Sequence, residues 1–247
     1  MSDLLKTVDR IAEAHCPRTA RESAEAGEWP AALWKALAET GLTRAALPES
    51  AGGAGLEFGD AMAILRRTAY HALPVPLAET MLAGRLLAAA RLEVPEGALT
   101  ISSGECKHVP WGNQCAHVVV VGDHEVGIAL IALTQHVEKN LAGEPRAQLQ
   151  CTSSPTRLQN ARERLQLEGA LMRSVQMAGA LERTLEYSLT YANERVQFGR
   201  PIGKFQAIQH MLAVLAAQTA AASAAVEAAV EESADHPDEF TISVAKA

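Results

Sequence analysis

The sequence predicts a mainly α-helical chain in three parts: an N-terminal helical domain, a small abbreviated β domain and a C-terminal bundle of long helices. Three observations carry that expectation. Alanine and leucine dominate an apolar share of 48%, while aromatic residues make up only 4%, a balance that favours helices over sheets. Apolar residues recur at helical spacing at both ends of the 247-residue chain. Between those ends, from about residue 96 to 158, glycines, prolines and β-branched runs replace that spacing. The expected divisions are 1–95, 96–160 and 161–247.

Each element has its own signal. Leu4, Leu5, Val8, Ile11 and Ala12 place a first helix over 3–15, with Pro17 just beyond. A second starts at Pro30, the favoured first helical position, and runs through Leu33, Trp34 and Leu37 to a Gly41 cap. Leu47-Pro-Glu-Ser-Ala-Gly-Gly-Ala-Gly55 is too rich in glycine for a regular element, and helices resume over 57–70 and 76–91. Val118–Val121 is a β-branched strand and Val126 to Leu133 a second strand candidate, in a unit of few strands that buries little core by itself. Cys151 to Pro155 reads as the linker out of it. Leu171, Val175, Ala178, Leu185 and Leu189 mark one face of a helix running nearly to Arg195. Phe205, Ile208, Leu212 and Leu215 mark the next, which continues to about Glu232. Asp235 or Pro237 starts a third helix that stops at Ala247 after a few turns, so the bundle reads as incomplete.

Charge and cysteine usage exclude several classes. With 22 basic and 29 acidic residues the net charge is −7, which argues against nucleic acid or an anionic membrane surface as the main partner. The alanine-rich runs near 82–90 and 212–230 contain Arg85, Gln218 or Glu227, so neither reads as a membrane span. Cys16, Cys106, Cys115 and Cys151 form no C-x-x-C pair and no signal-peptide core precedes them, which points to reduced thiols in the cytoplasm. The histidines are scattered without an H-x-x-x-H pair, so no metal site is expected.

The stretch Arg195-Val-Gln-Phe-Gly-Arg-Pro-Ile-Gly-Lys-Phe-Gln206 joins the last two long helical segments. Gly199, Pro201 and Gly203 break helices, so an ordered loop is expected. Around them stand a fixed cation (Arg195), an aromatic face (Phe198) and two amides (Gln197, Gln206). A guanidinium and amides suit a pyrophosphate or ribose, and an aromatic face suits a flat ring. The composition is equally that of an interhelical loop with one core aromatic.

The order of helices, small β unit and helices, with this loop between the last long pair, resembles the acyl-CoA dehydrogenase family. Tyr191 to Gln209 fits that family's R-x-Q-F-G-x-P-I-x-x-F-Q pattern almost throughout. Gly41-Leu42, Leu47-Pro48-Glu49 and Gly52-Gly53-Ala54-Gly55 are similar to its G-L…L-P-E-x-x-G-G-x-G segment, about 150 residues upstream. The resemblance implies flavin adenine dinucleotide (FAD) between the β domain of one subunit and the C-terminal helices of its neighbour, in a homo- or hetero-oligomer. Arg195 and Gln197 would then contact the pyrophosphate across the interface, Phe198 would pack near the adenosine half, and Phe205 and Gln206 would complete the cradle. The implied reaction takes the α-proton of an acyl-CoA thioester onto a carboxylate base and the β-hydrogen as hydride onto the flavin, in lipid catabolism.

Departures from the family pattern leave the catalytic residues unassigned. No counterpart of the family's T/S-E-P-x-x-G-S-D-like loop lies between Ala89 and Cys106. The strand that lies along the flavin corresponds to Val109-Pro-Trp-Gly112, where Trp111 is expected to be a hydrophobic plug. One family position for the base falls beyond Ala247 and the other at Gly169; the neighbouring Glu168 is expected to be a solvated face charge. Glu182 and Glu186, with Arg183 between them, also read as a solvated face, and His71, His108 and His117 as structural. Cys115 has no basic neighbour in sequence to activate it. Two functions are therefore expected: an FAD-dependent acyl-CoA dehydrogenase, or a non-catalytic partner subunit that completes a neighbour's flavin site.

Overall fold

The computed structural model describes residues 2–150, 152, 154–234 and 236–247; Cys151, Ser153 and Asp235, which figured in the linker, thiol and helix-start expectations, lie outside them. Five helices open the chain. Helix α1 (Ser2–His15) buries Val8, Ile11 and Ala12. Helix α2 (Arg18–Ala26) was not expected, because it buries only Ala24 and its inward face carries no large apolar side chain. It forms on charged, helix-favouring residues, with Arg18 bonded to Glu22 at 2.7 Å, and ends where Gly27 turns left-handed (φ 107°). Helix α3 (Ala31–Glu39) begins one residue after Pro30 and buries Leu33, Trp34 and Leu37.

The glycine-rich loop is built around Arg44, whose guanidinium donates to the carbonyls of Ala51 (2.7 Å) and Gly52 (2.9 Å). A Cβ at Gly53 would stand 1.9 Å from the Leu47 carbonyl oxygen, so only glycine fits there. Helices α4 (Phe58–Tyr70) and α5 (Leu77–Ala89) follow where the periodicity placed them.

The β unit departs from the expected few strands. Among the described residues, seven short strands form two sheets: β1 (Leu99–Ser102), β2 (Val109–Pro110), β3 (His117–Val121), β4 (Glu125–Leu130), β5 (Leu133–Lys139), β6 (Pro145–Gln150) and β7 (Thr156–Arg157). One sheet has the order β1-β3-β4-β7, with β1 and β3 parallel; the other has the order β2-β6-β5. The single strand expected over Val126–Leu133 divides because the chain changes sheets. The Ile131 N–H donates to Ala116 of the first sheet's border (3.0 Å) and the Ala132 N–H to Gln150 of the second (3.3 Å).

Helix α6 (Ala161–Glu194) leads into a hairpin of β8 (Val196–Gln197) and β9 (Arg200–Pro201), a 3₁₀ turn over Ile202–Lys204, and helix α7 (Gln206–Glu232). Helix α8 (Glu239–Lys246) starts later than expected, capped by Asp238, whose carboxylate accepts from the Thr241 N–H at 2.7 Å. One hydrophobic core joins helices from both ends of the chain with Leu99, Val119, Val121 and Val126 of the β unit. A second, smaller cluster around Val109, Val118, Ala147 and Leu149 belongs to the β unit alone.

Arg66 of α4 fastens the long helices: its guanidinium reaches Glu182 of α6 (2.5 Å), and Glu227 (2.9 Å) and Ser223 (2.7 Å) of α7. Glu182 is thus a tie between helices rather than the solvated charge expected, while Glu186, nearer the open end, bonds Tyr70 and Arg183. By length and composition α7 is long and apolar enough to cross a membrane, with 17% of its apolar stretch buried. It lies along α6, however, whose charged Glu182, Arg183 and Glu186 would have to enter the bilayer beside it.

Candidate functional site

The α6–α7 connection is a built hairpin rather than a slack loop. Val196 pairs with Pro201 and Gln197 with Arg200, which leaves Phe198 and Gly199 as the two-residue turn. Both are left-handed, at φ 54° and 78°, as a two-residue hairpin turn with the strands' own twist requires. Glycine takes that conformation freely, whereas a phenylalanine there is uncommon and held against its preference. The turn lifts the Phe198 ring to 92% exposure, edge-on to Phe205 at 6.1 Å. The Arg200 guanidinium covers the Phe205 ring at 4.3 Å. The Ile202 N–H closes the base of the hairpin on the Arg195 carbonyl (2.8 Å), and the Gln209 amide ties the 3₁₀ turn at Gly203 (3.0 Å).

Of the five residues expected at a cofactor, Arg195, Gln197, Phe198 and Gln206 are exposed and Phe205 is half-buried. The structure brings them together on one hairpin and the first turn of α7. Among the described residues, none of the side chains of Arg195, Gln197 or Gln206 has a hydrogen-bond partner, although the backbone beneath them is paired along the hairpin and tied at its base. This donor set, one permanent cation and two amides around an exposed ring, fits a diphosphate linked to a flat base. The Leu47–Gly55 segment contributes nothing polar to the hairpin: its hydrogen bonds are made within the segment and to Arg44, and it packs on α5 where Leu47 meets Gly84.

The helical seam where a base was sought is closed. Glu168 is 2% exposed, which corrects the expectation of a solvated face charge. Its carboxylate lies between Arg85 of α5 (2.8 Å) and Arg164 of α6 (2.5 Å), and Arg85 also covers the Phe58 ring at 4.5 Å. One turn of geometry cannot reveal this, because Arg85 comes from another helix. Gly169 faces Leu82 of α5, where an added Cβ would make an ordinary contact at 3.5 Å. Further along the same seam Glu79, 5% exposed, binds the Arg173 guanidinium. Burial, with the Glu79 charge adding to it, pushes the Cys115 thiol up to about 12, so it is inert at neutral pH.

Trp111 is a plug, as expected: it is 3% exposed and meets Trp29 edge-on at 6.1 Å, with Trp34 behind at 5.7 Å from Trp29. The histidines divide. His71 bonds Asp9 at 2.7 Å in the α1–α4 contact and His108 bonds Glu138, whereas the buried Nδ1 of His117 has no partner among the described residues.

Comparison with known proteins gives a consistent result. Residues 2–91 match the family model "Acyl-CoA dehydrogenase, N-terminal domain" and residues 158–247 match "Acyl-CoA dehydrogenase, C-terminal domain". The acyl-CoA dehydrogenase IpdE2 of Mycobacterium tuberculosis is 31% identical over 230 residues, which cover 86% of this chain and 70% of that protein. Among solved structures, the ChsE4-ChsE5 complex of Mycobacterium tuberculosis superposes with a TM-score of 0.80 at 22% identity, covering 99% of this chain and 80% of that one. Butyryl-CoA dehydrogenase of Megasphaera elsdenii does so with a TM-score of 0.79 at 17% identity, covering 99% and 82%.

Proposed function

From the premise that the chain belongs to the acyl-CoA dehydrogenase family, we propose that it serves the FAD-dependent α,β-dehydrogenation of an acyl-CoA thioester, lending its Arg195–Gln206 hairpin to a flavin bound at a subunit interface. The observation that carries this reading is the contrast within the hairpin, a rigid backbone carrying three unpartnered polar side chains and an exposed ring. Arg195 and Gln197 would hold the pyrophosphate, Phe198 would lie against the adenosine half, and Phe205 with Gln206 would close the cradle. FAD, when bound, supplies the hydride acceptor. The residues themselves bind, orient and exclude water. A cytoplasmic place in lipid catabolism accords with the fold, and an oligomer accords with a hairpin whose ligating groups point away from its own body.

Arg195→Ala tests the reading. A charge-assisted hydrogen bond contributes about 1.5–3 kcal/mol, so FAD should bind the assembly on the order of 10- to 100-fold more weakly. Arg195→Lys should recover part of the loss, because it keeps the charge without the fork. Unchanged flavin occupancy in Arg195→Ala, measured from absorbance after desalting, would falsify the hairpin's role. The alternative function, a non-catalytic partner subunit, turns on whether this chain also offers a flavin face of its own.

A further inference from the structure

A cleft of about 510 Å³ lies where α2, the α4–α5 connection, the β5–β6 turn and α6 meet. That volume is in the range of small-molecule sites. Its wall is mainly apolar, with Leu73, Val75 and Leu77 from the connection and Met177, 49% exposed, from α6. The wall is also held in place. The Ala72 N–H returns to the Ala69 carbonyl (2.9 Å) and the Leu73 N–H to that of Thr68 (3.1 Å), which winds the connection tightly. The Lys139 ammonium reaches the Glu25 carbonyl and so joins α2 to the β5–β6 turn.

Most charged groups around the cleft are already bonded. Arg173 donates to the Glu79 carboxylate and to the Gln176 side-chain oxygen (2.6 Å). Glu144 accepts from Asn140 (2.8 Å) and Arg146 (3.2 Å), and Glu22 accepts from Arg18 (2.7 Å). Arg21 differs. Its side chain lines the cleft and is partly buried, yet its guanidinium has neither hydrogen bond nor ion pair among the described residues. Glu25 stands one turn along the same helix and does not claim it. A cation drawn partly out of water without a partner raises the free energy of the empty cleft, and its planar fork of N–H donors matches a carboxylate. The apolar wall decides the rest of the ligand. An inorganic anion, hydrated on every side, would leave Leu73, Val75, Leu77 and Met177 uncovered, whereas a carboxylate on an apolar body satisfies both surfaces.

We propose that this cleft binds a carboxylate carried on an apolar body, with the carboxylate forked on Arg21 and the body laid against Leu73, Val75, Leu77 and Met177. Two sources share that chemistry. One is a free carboxylic acid. The other is an acyl-CoA thioester whose far end carries a second carboxyl group, because Arg173 at the cleft stands one turn along α6 from Gly169, where the second base position of the family falls. Only the second source rests on the dehydrogenase reading above.

The test is calorimetric titration of the whole chain with octanoate and, as its neutral counterpart, octanol. One octanoate should bind per chain, at least about tenfold more tightly than octanol. Arg21→Gln should bring octanoate down to the level of octanol while leaving octanol unchanged, which also shows that the variant is folded. Met177→Trp, a change at an exposed position that fills the cleft, should expel both. Octanoate held no more tightly than octanol, or held equally by the parent and Arg21→Gln, overturns the carboxylate site. Octanoate binding that survives Met177→Trp overturns the cleft as its place. Octanoyl-CoA and the mono-CoA thioester of octanedioic acid separate the two sources. Tighter binding of the second, lost in Arg21→Gln, assigns the carboxylate to the far end of an acyl group; equal binding of the two, with octanoate binding intact, assigns a free acid. None of these measurements involves flavin, so the cleft can fail while the hairpin stands, and unchanged flavin occupancy in Arg195→Ala leaves the cleft untouched.

Discussion

A carboxylate at 2% exposure stays ionised only if it is paired and fully bonded, and Glu168 meets that requirement with Arg85 and Arg164. Removing the carboxylate leaves two half-buried guanidiniums unmatched. Glu168→Gln should therefore lower the stability of the fold by about 3–5 kcal/mol, read from the midpoint of chemical denaturation. A combined Glu168→Leu, Arg85→Leu variant, which removes acid and base together, should recover much of that loss. Equal destabilisation in the two variants would mean that packing volume, not charge, holds this seam.

Asp9 illustrates a different balance. Desolvation acts to raise its pKa, but hydrogen bonds from Arg67 and His71 outweigh it and hold the carboxyl below its usual range. A group depressed in the folded state stabilises it above the unfolded pKa, near 4, and that contribution is lost as pH falls through the folded value. Asp9→Asn should accordingly be less stable than the parent at neutral pH, and the gap should shrink as acid melts are taken below about pH 4. A gap of constant size across that window would remove the carboxylate's charge from the account.

Elements differ in how openly the sequence announces them. Helices α1, α3, α4 and the first half of α6 carry an apolar stripe that a neighbour buries, α5 is buried nearly all round, and α7 half-buries its Phe205, Ile208, Leu212 and Leu215 face; their apolar patterns located them within a residue or two. Helix α2 carries no stripe, so propensity and an Arg18–Glu22 pair had to be read instead. Strand β5 is exposed along nearly its whole length and is made a strand by pairing with β6 rather than by alternation, whereas the short β6 does alternate, with Pro145, Ala147 and Leu149 inward. The same limit hid the Glu168–Arg85 and Glu79–Arg173 ion pairs, whose arginines stand on other helices. An ordered connection was legible because its breakers and the residues proposed to hold the cofactor sit within twelve consecutive positions; that it is a hairpin was not.

Close contacts between elements are testable by single methyl groups. A Cβ at Gly179 of α6 would stand 2.2 Å from the Arg66 carbonyl oxygen of α4, a backbone atom that cannot step aside. Gly179→Ala should thus cost at least about 1–3 kcal/mol despite its gain in helix propensity. A stability unchanged in thermal denaturation would mean that α4 and α6 are separated further than this contact. At the hairpin, Phe198→Asn places a residue that tolerates a left-handed backbone at the turn. The variant should fold at least as well as the parent and still bind flavin less tightly, which separates the ring's role from the turn's.

On the scale of the whole molecule, stability is unevenly distributed. The core lies where α4, α5, α6 and the β unit converge, whereas no residue of α7 from Gln206 to Gln218 is buried, and none of α6 from Ala180 to Tyr191. In that region the two helices cover mainly one another, with Arg66 and Tyr70 of α4 reaching only Glu182, Arg183 and Glu186. Tyr191, Met211 and Val214 stand open beside the hairpin, at 60%, 66% and 43% exposure. Backbone hydrogen bonds with so little packing over them open locally at a small fraction of the global unfolding free energy. In the isolated chain, amide exchange over 206–218 should therefore run well ahead of exchange in α4 and α5. When the chain enters a flavin-bearing assembly, the hairpin and this open end become covered together, and exchange over 206–218 should slow by at least about tenfold, more than anywhere in the core. Exchange that stays as fast in the assembly as in the free chain would place the partner elsewhere on the molecule, and would separate the hairpin from the flavin it is proposed to hold.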